Sequence, residues 1–120
     1  MAWDAAGMSL LPQRSRDARN MLLDAALEFG ANWRRDVAEL AAERLPELDG
    51  QERTALVQEI TDVRSGIESW VLRRWEEVGG SWSRADAESA ETHVRTAYPW
   101  VDERNAEHAV SQATYYAWHG

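Results

Sequence analysis

The sequence contains no cysteine and no lysine, so all 13 of its basic residues are arginine. Without cysteine the chain cannot form disulfides, thiolate-ligated zinc sites or iron–sulfur sites, and it cannot use a thiol nucleophile. Without lysine it cannot carry a Schiff-base centre, a Walker A phosphate loop or a kinase-type catalytic lysine. Several large enzyme classes are therefore excluded by composition.

The sequence also lacks the signals of β-structure. No stretch alternates apolar and polar residues with a period of two, β-branched residues are sparse, and no Asn-Gly or Asp-Gly turn is flanked by such stretches. The 120 residues, 44% of them hydrophobic, are enough for one packed core without metals or disulfides. We therefore expect an all-α protein with a loose N-terminal tail at residues 1–12 and a single helical domain over residues 13–120.

The chain is acidic, with 21 acidic residues against 13 basic ones and a formal net charge of −8. A negative surface repels the phosphate backbone, so no nucleic-acid partner is expected. The first residues have neither the basic region and apolar run of a signal peptide nor the length of a membrane span. By default, a cytoplasmic location without membrane contact is expected.

The negative charge is unevenly distributed along the chain. Residues 36–62 carry eight acidic residues and two arginines, a balance of −6, whereas residues 13–35 carry five arginines and three acidic residues, a balance of +2. This asymmetry is explained either by an acidic surface for a partner or by pairing between two antiparallel helices, and pairing is the preferred interpretation.

Apolar residues recur at spacings of three and four along the chain, which predicts amphipathic helices. The first helix is predicted over residues 13–45; it runs through Gly30 because the apolar stripe keeps its phase there, and it stops at Pro46. The second is predicted over residues 50–78. Because the link between them is short, the two helices should form a long antiparallel hairpin.

Capping residues mark the limits of the second helix. Asp49 is a suitable N-cap, and Glu52 follows it at the spacing of a capping box. Gly79 and Gly80 readily adopt the left-handed conformation that ends a helix. These limits are predicted from local chemistry alone.

Two shorter helices are predicted at about 83–98 and 102–118. Ser83 and Asp86 have the spacing of an N-cap and its partner, and Pro99 either separates the two helices or only kinks a continuous one. The expected architecture is therefore a helical bundle of about four helices.

Aromatic residues concentrate where the ends of the predicted helices meet. If the helices alternate in direction, the end of the second, the start of the third and the end of the fourth lie at one end of the bundle. Tryptophan, tyrosine and arginine dominate binding hot spots, so this end is a candidate partner-binding surface; the alternative is a small core that closes the bundle. The proposed residues are Trp70, Arg73, Arg74, Trp75, Trp82, Tyr115 and Trp118.

The expected function is that of a small non-catalytic accessory, regulatory or inhibitory protein that binds another protein through this Trp/Arg-rich end. A homodimer is also compatible with the pattern. The two shorter helices span roughly 25 Å against roughly 45 Å for the hairpin, which leaves apolar surface for a second copy to bury.

The alternative function is that of a small-ligand-binding protein or an enzyme, with an aromatic pocket between the helices. Trp33, His93, His108 and Tyr116 would line this pocket, and a glutamate would assist the histidines. The histidines lack both the Glu-x-x-His spacing of di-iron bundles and the His-Glu-x-x-His motif. No metal or other cofactor is therefore expected.

Overall fold

The structure, a computed structural model, describes residues 16–27 and 35–119. All regular secondary structure in these two ranges is helical, which confirms the predicted all-α class for this part of the chain. The predicted tail at residues 1–12 lies outside the described residues. The two described ranges contain five helices: α1 (residues 16–27), α2 (Val37–Arg44), α3 (Gly50–Glu77), α4 (Arg84–Ala97) and α5 (Glu103–His119).

The prediction of one helix over residues 13–45 is wrong. Asp36 has an extended backbone (φ −60°, ψ 127°), and its side chain accepts a hydrogen bond of 2.9 Å from the Ala38 backbone N–H. Asp36 is therefore the N-cap of a separate helix. The apolar stripe spans both helices because Leu22 in α1 and Leu40 in α2 are both fully buried in one core.

Helices α2 and α3 pack together and form an antiparallel hairpin, joined by residues 45–49. The predicted capping box begins α3: the Glu52 N–H donates to Asp49 Oδ1 at 2.8 Å, and the Asp49 N–H donates to Glu52 Oε1 at 3.3 Å. The predicted second helix is confirmed almost to the residue.

Helix α1 runs in the same direction as α3. Arg19 Nε donates to Glu59 Oε1 at 2.8 Å, and further along both helices Arg64 Nη1 donates to the Ala26 carbonyl at 3.3 Å. Because the residue numbers rise together, the two helices are parallel. The predicted antiparallel hairpin therefore holds for α2 but is wrong for the N-terminal segment.

Buried amides fix α1 to α5. Asn105, which is 2% exposed, donates through Nδ2 to the backbone and side-chain oxygens of Asn20, both at 3.0 Å. About two turns further along both helices, Gln112 Nε2 donates to the Leu27 carbonyl at 2.6 Å. Burying an amide N–H costs free energy unless it is hydrogen-bonded, so these donors favour one register for the two helices.

Pro99 separates α4 from α5 and does not kink a continuous helix. The Tyr98 N–H closes α4 by donating to the Val94 carbonyl at 2.8 Å. Asp102 Oδ1 then accepts from the Asn105 N–H at 2.8 Å and begins α5, as the sequence predicts.

The core lies where the apolar faces of all five helices meet. Helix α3 supplies its buried stripe, while α4 and α5 contribute mainly alanine and valine, which allow the helices to approach closely. The largest fully buried side chains are Leu22, Leu23, Leu27, Leu40, Ile60, Ile67, Val71 and Val94.

Candidate functional site

The turn from α3 to α4 is built by two glycines. Gly79 (φ 63°) and Gly80 (φ 80°) are both left-handed. The Gly80 N–H donates to the Trp75 carbonyl and the Gly79 N–H to the Glu76 carbonyl, both at 3.1 Å, which is a Schellman motif. The motif reverses the chain directly after α3 ends at Glu77, two residues beyond Trp75.

The reversal brings Trp75 and Trp82 together. Their rings stack with centroids 6.0 Å apart and planes 28° apart. Both residues are half-buried, and Trp82 also packs against the hydrophobic core. Their proximity, which the sequence predicts, therefore has a structural role at the end of α3.

A charged pair fixes the start of α4 to the end of α3. Arg74 Nε donates to Asp86 Oδ1 at 2.9 Å, while the backbone N–H and Oγ of Ser83 donate to Asp86 Oδ2 at 2.9 and 2.8 Å. These Ser83 hydrogen bonds, assisted by Arg74, hold the pKa of the Asp86 carboxyl below its ordinary value. Arg74 is thus engaged within the fold, whereas the neighbouring Arg73 is exposed.

Trp70 and His93 form a second ring contact between α3 and α4. Their centroids are 4.7 Å apart and their planes differ by 11°, so the rings are stacked face to face. Both residues are half-buried. Since Trp70 pairs with His93 and Arg74 with Asp86, α4 runs antiparallel to α3.

Helix α5 ends on the same side of the molecule as α3. Residues 98–102 are a short link, so α5 turns back along α4 and again follows the direction of α3. We define the aromatic end as residues 70–83 together with the last two turns of α5, residues 112–119.

The last turns of α5 carry a compact group of rings. The Tyr115 and Tyr116 centroids are 5.8 Å apart in an edge-to-face arrangement. His119 lies 4.2 Å from the Tyr115 ring and 4.6 Å from the Trp118 ring, measured between centroids. His119 therefore joins the two predicted site residues of this helix, a contact that sequence reasoning missed.

The aromatic end also contains most of the exposed large hydrophobic side chains in the described residues. Trp118 is 70% exposed, Leu72 45% and Tyr115 41%, and the fourth, Met21, lies on α1. Leu72 was not among the predicted site residues. Its signal in the sequence is that it follows Val71, which belongs to the buried stripe, and so lies off that stripe.

The alternative pocket gains no geometric support from the residues that the structure describes. Trp33 lies outside them, His93 stacks on Trp70, and His108 is half-buried on α5. Tyr116 contacts Tyr115. Within residues 16–27 and 35–119, no group of three or more His, Asp or Glu residues could hold a metal ion. The pocket therefore stays a prediction.

Comparison with known proteins gives no further identification: no family model, no curated protein and no solved structure matches this chain. In the part of the chain that the structure describes, no helix has both the length and the apolar character needed to cross a bilayer. The interpretation of the aromatic end therefore depends on the chemistry of its own side chains.

Proposed function

We propose that this protein is a small non-catalytic accessory or regulatory protein that binds another protein through the aromatic end. The observation that carries the proposal is the 70% exposure of Trp118, the most exposed of the large hydrophobic side chains in the described residues. A tryptophan gains a large apolar contact area when a partner covers it, and tryptophan is the residue type most enriched in binding hot spots.

The residues of the aromatic end divide into two groups by their exposure to solvent. Trp70, Trp75, Trp82 and Arg74 each have a ring or ion-pair partner within the fold. We assign them the role of holding α3 and α4 in a fixed relation. A surface that is already ordered loses less conformational entropy on binding, so these contacts favour affinity without touching the partner.

The second group faces outward. Trp118, Tyr115, Leu72 and Arg73 are all exposed, and they combine apolar area with one positive charge. A complementary partner offers an apolar cavity that accepts an indole, with polar or acidic groups at its rim. A second copy of this chain is the competing occupant, and the mass of the protein in solution distinguishes the two.

Site-specific photo-cross-linking tests the proposal. Benzoylphenylalanine replaces Trp118 in the full chain expressed in its native host, and the control position is Ser89, an exposed residue of α4. We expect one partner to be cross-linked from position 118 and not from position 89. That partner is then purified, and its affinity for the unmodified protein is measured.

Trp118→Ala should weaken this affinity at least tenfold, as expected of a hot-spot residue. The matched control is Met21→Ala, which truncates an exposed hydrophobic side chain on α1. Equal affinity of both variants for the partner, or cross-linking that does not depend on position, would contradict the proposal.

A further inference from the structure

An open groove lies at the opposite end of the bundle from the aromatic end. It runs between the start of α1, the α2–α3 link and the first half of α3, and its volume is about 560 Å³. Its apolar lining consists of Ala18, Met21, Leu45, Leu48, Ala55 and Leu56. Met21 is 49% exposed, so apolar surface remains open to solvent here.

A second hollow continues the groove along α3. Ala55 and Glu59 line both depressions, and the second one extends past Asp62 to Trp100 in the α4–α5 link. Arg19 lies at the boundary, since its Nε contacts Glu59 at 2.8 Å and its guanidinium lies 5.7 Å from the Trp100 ring centroid. We call the two depressions together the acidic groove.

Carboxylates surround this apolar floor. Among the described residues that line the two depressions, the acidic ones are Asp17, Glu47, Glu52, Glu59 and Asp62, and Arg19 is the one basic residue. Arg19 is engaged by Glu59, whereas Asp17, Glu47 and Asp62 have no ion-pair partner within the described ranges. Within residues 16–27 and 35–119, ion pairs thus neutralise only part of the acidic stretch noted in the sequence.

We propose that the acidic groove binds an amphipathic helix of another protein that carries lysine or arginine beside its apolar face. Such a helix matches the groove in both respects, because its apolar side covers Met21, Leu48 and Leu56 while its cations face the carboxylates. A second copy of this chain is disfavoured as occupant, since two molecules of formal charge −8 repel each other.

The dimensions set the length of the bound helix. The groove follows α3 from Leu48, just before its first residue, to Asp62. At 1.5 Å per residue this is roughly 21 Å, the length of a helix of about 14 residues. The inference is independent of the proposed function, because it concerns the other end of the bundle.

A designed peptide serves as the probe. It is a fluorescently labelled helix of 14 residues, made only of leucine and lysine, with all leucines on one face. The reference peptide has the same composition in an order that spreads the leucines around the helix. We expect the fluorescence anisotropy of the amphipathic peptide to rise when the protein is added at low salt. Its affinity should fall as the salt concentration rises. It should also bind at least tenfold more tightly than the reference peptide.

Variants of the full chain locate the site. Ala55→Arg places a bulky cation in the centre of the groove, at an exposed helical position where arginine is a good helix former. The double variant Glu47→Gln/Asp62→Asn removes two negative charges from the rim of the groove. Each change should weaken peptide binding at least tenfold. The matched controls, Ala85→Arg and Glu76→Gln with Glu77→Gln, should change it less than twofold.

Three outcomes would overturn the inference. If the groove variants and their controls lose the same peptide affinity, the peptide binds through the net charge of the protein alone. If the protein binds both peptides with equal affinity, or binds neither at low salt, an apolar contact between peptide and groove is excluded. If the protein dimerises without peptide and Ala55→Arg abolishes this dimerisation, the groove is an interface between two copies of the chain. Trp118→Ala should leave peptide binding unchanged, so failure of this inference can be distinguished from failure of the proposed function at the aromatic end.

Discussion

The hydroxyl of Tyr98 lies against the backbone of Gly66 in the middle of α3. A Cβ built on Gly66 would overlap Tyr98 Oη and would lie 3.6 Å from Tyr98 Cζ. Glycine inside a helix costs about 1 kcal/mol relative to alanine. At position 66, however, glycine leaves room for the ring of Tyr98, the residue that directly follows α4.

We therefore predict that Gly66→Ala destabilises the protein by about 1–2 kcal/mol, against the usual gain, because the new methyl group collides with the Tyr98 hydroxyl. In a Tyr98→Phe background the nearest ring atom is at contact distance, so the same change should be neutral or stabilising by up to about 1 kcal/mol. Urea unfolding of the four proteins measures this coupling. Equal effects of Gly66→Ala in both backgrounds would show that Tyr98 imposes no constraint.

The Gln112 amide should be needed for stability. Gln112→Ala removes the donor to the Leu27 carbonyl and leaves a buried acceptor without its hydrogen bond, which costs roughly 1–3 kcal/mol. The neighbouring Ser111→Ala, at an exposed position, is the control and should change stability by less than about 0.5 kcal/mol. Denaturant midpoints at constant m-value test this; similar midpoints for the two variants would contradict it.

Asp86 should stabilise the fold in a pH-dependent manner. Its folded-state pKa is lowered by hydrogen bonds from Ser83 and by Arg74, so its contribution is complete above the unfolded pKa of about 3.9 and is lost as pH falls through the folded value. Asp86→Asn should therefore lower the melting temperature at pH 7 and have a progressively smaller effect below about pH 4. Glu76→Gln, which removes an exposed carboxylate near the end of α3, is the control. A difference between wild type and Asp86→Asn that does not change with pH would exclude this linkage.

The ionised carboxylate of Glu91 should destabilise the fold, whereas that of Asp86 stabilises it. Burial, followed by repulsion from Glu107, Glu88 and Glu103, raises its folded-state pKa, while Arg95 acts weakly in the other direction. The ionised carboxylate is thus unfavourable in the fold at neutral pH, and this penalty disappears below the unfolded pKa of about 4.3. Glu91→Gln should raise the melting temperature at pH 7, and the gain should vanish near pH 4. A variant less stable than wild type at pH 7 would show that the charge is not unfavourable.

Local chemistry made much of the fold predictable. The limits of α3 and α4 follow from Asp49, Ser83 and the two glycines, whose effects depend on residues within one turn. The start of α2 was missed although Asp36 precedes Glu39 by the same three residues that separate Asp49 from Glu52. The apolar stripe, which keeps its phase across residues 13–45, does not reveal this break.

The direction of α1 could not be predicted from periodicity. A stripe shows which face of a helix is buried, but both directions bury that face equally well. The pairing of Arg19 with Glu59 and the buried amides of Asn105 and Gln112 are long-range contacts. Polar residues at buried positions have no signature in a hydrophobic pattern.

The site was predictable to the same degree. The proximity of Trp75 and Trp82 depends on a tight turn and was anticipated, whereas the exposure of Trp118 and Leu72 depends on tertiary packing. The aromatic and arginine residues, together with the expected order of the helices, therefore predict the candidate region, and the structure distinguishes the rings that pack within it from those that face solvent.

The hydrogen bonds between Asn20 and Asn105 join residues 85 positions apart. During translation, α1 leaves the ribosome long before α5 is synthesised. The apolar face of α1 therefore lacks the helix that finally packs against it while most of the chain is made. Folding can be completed only after the last helix emerges. A premature stop anywhere before α5 would consequently release a polypeptide with an uncovered first helix, a ready target for chaperones and proteases.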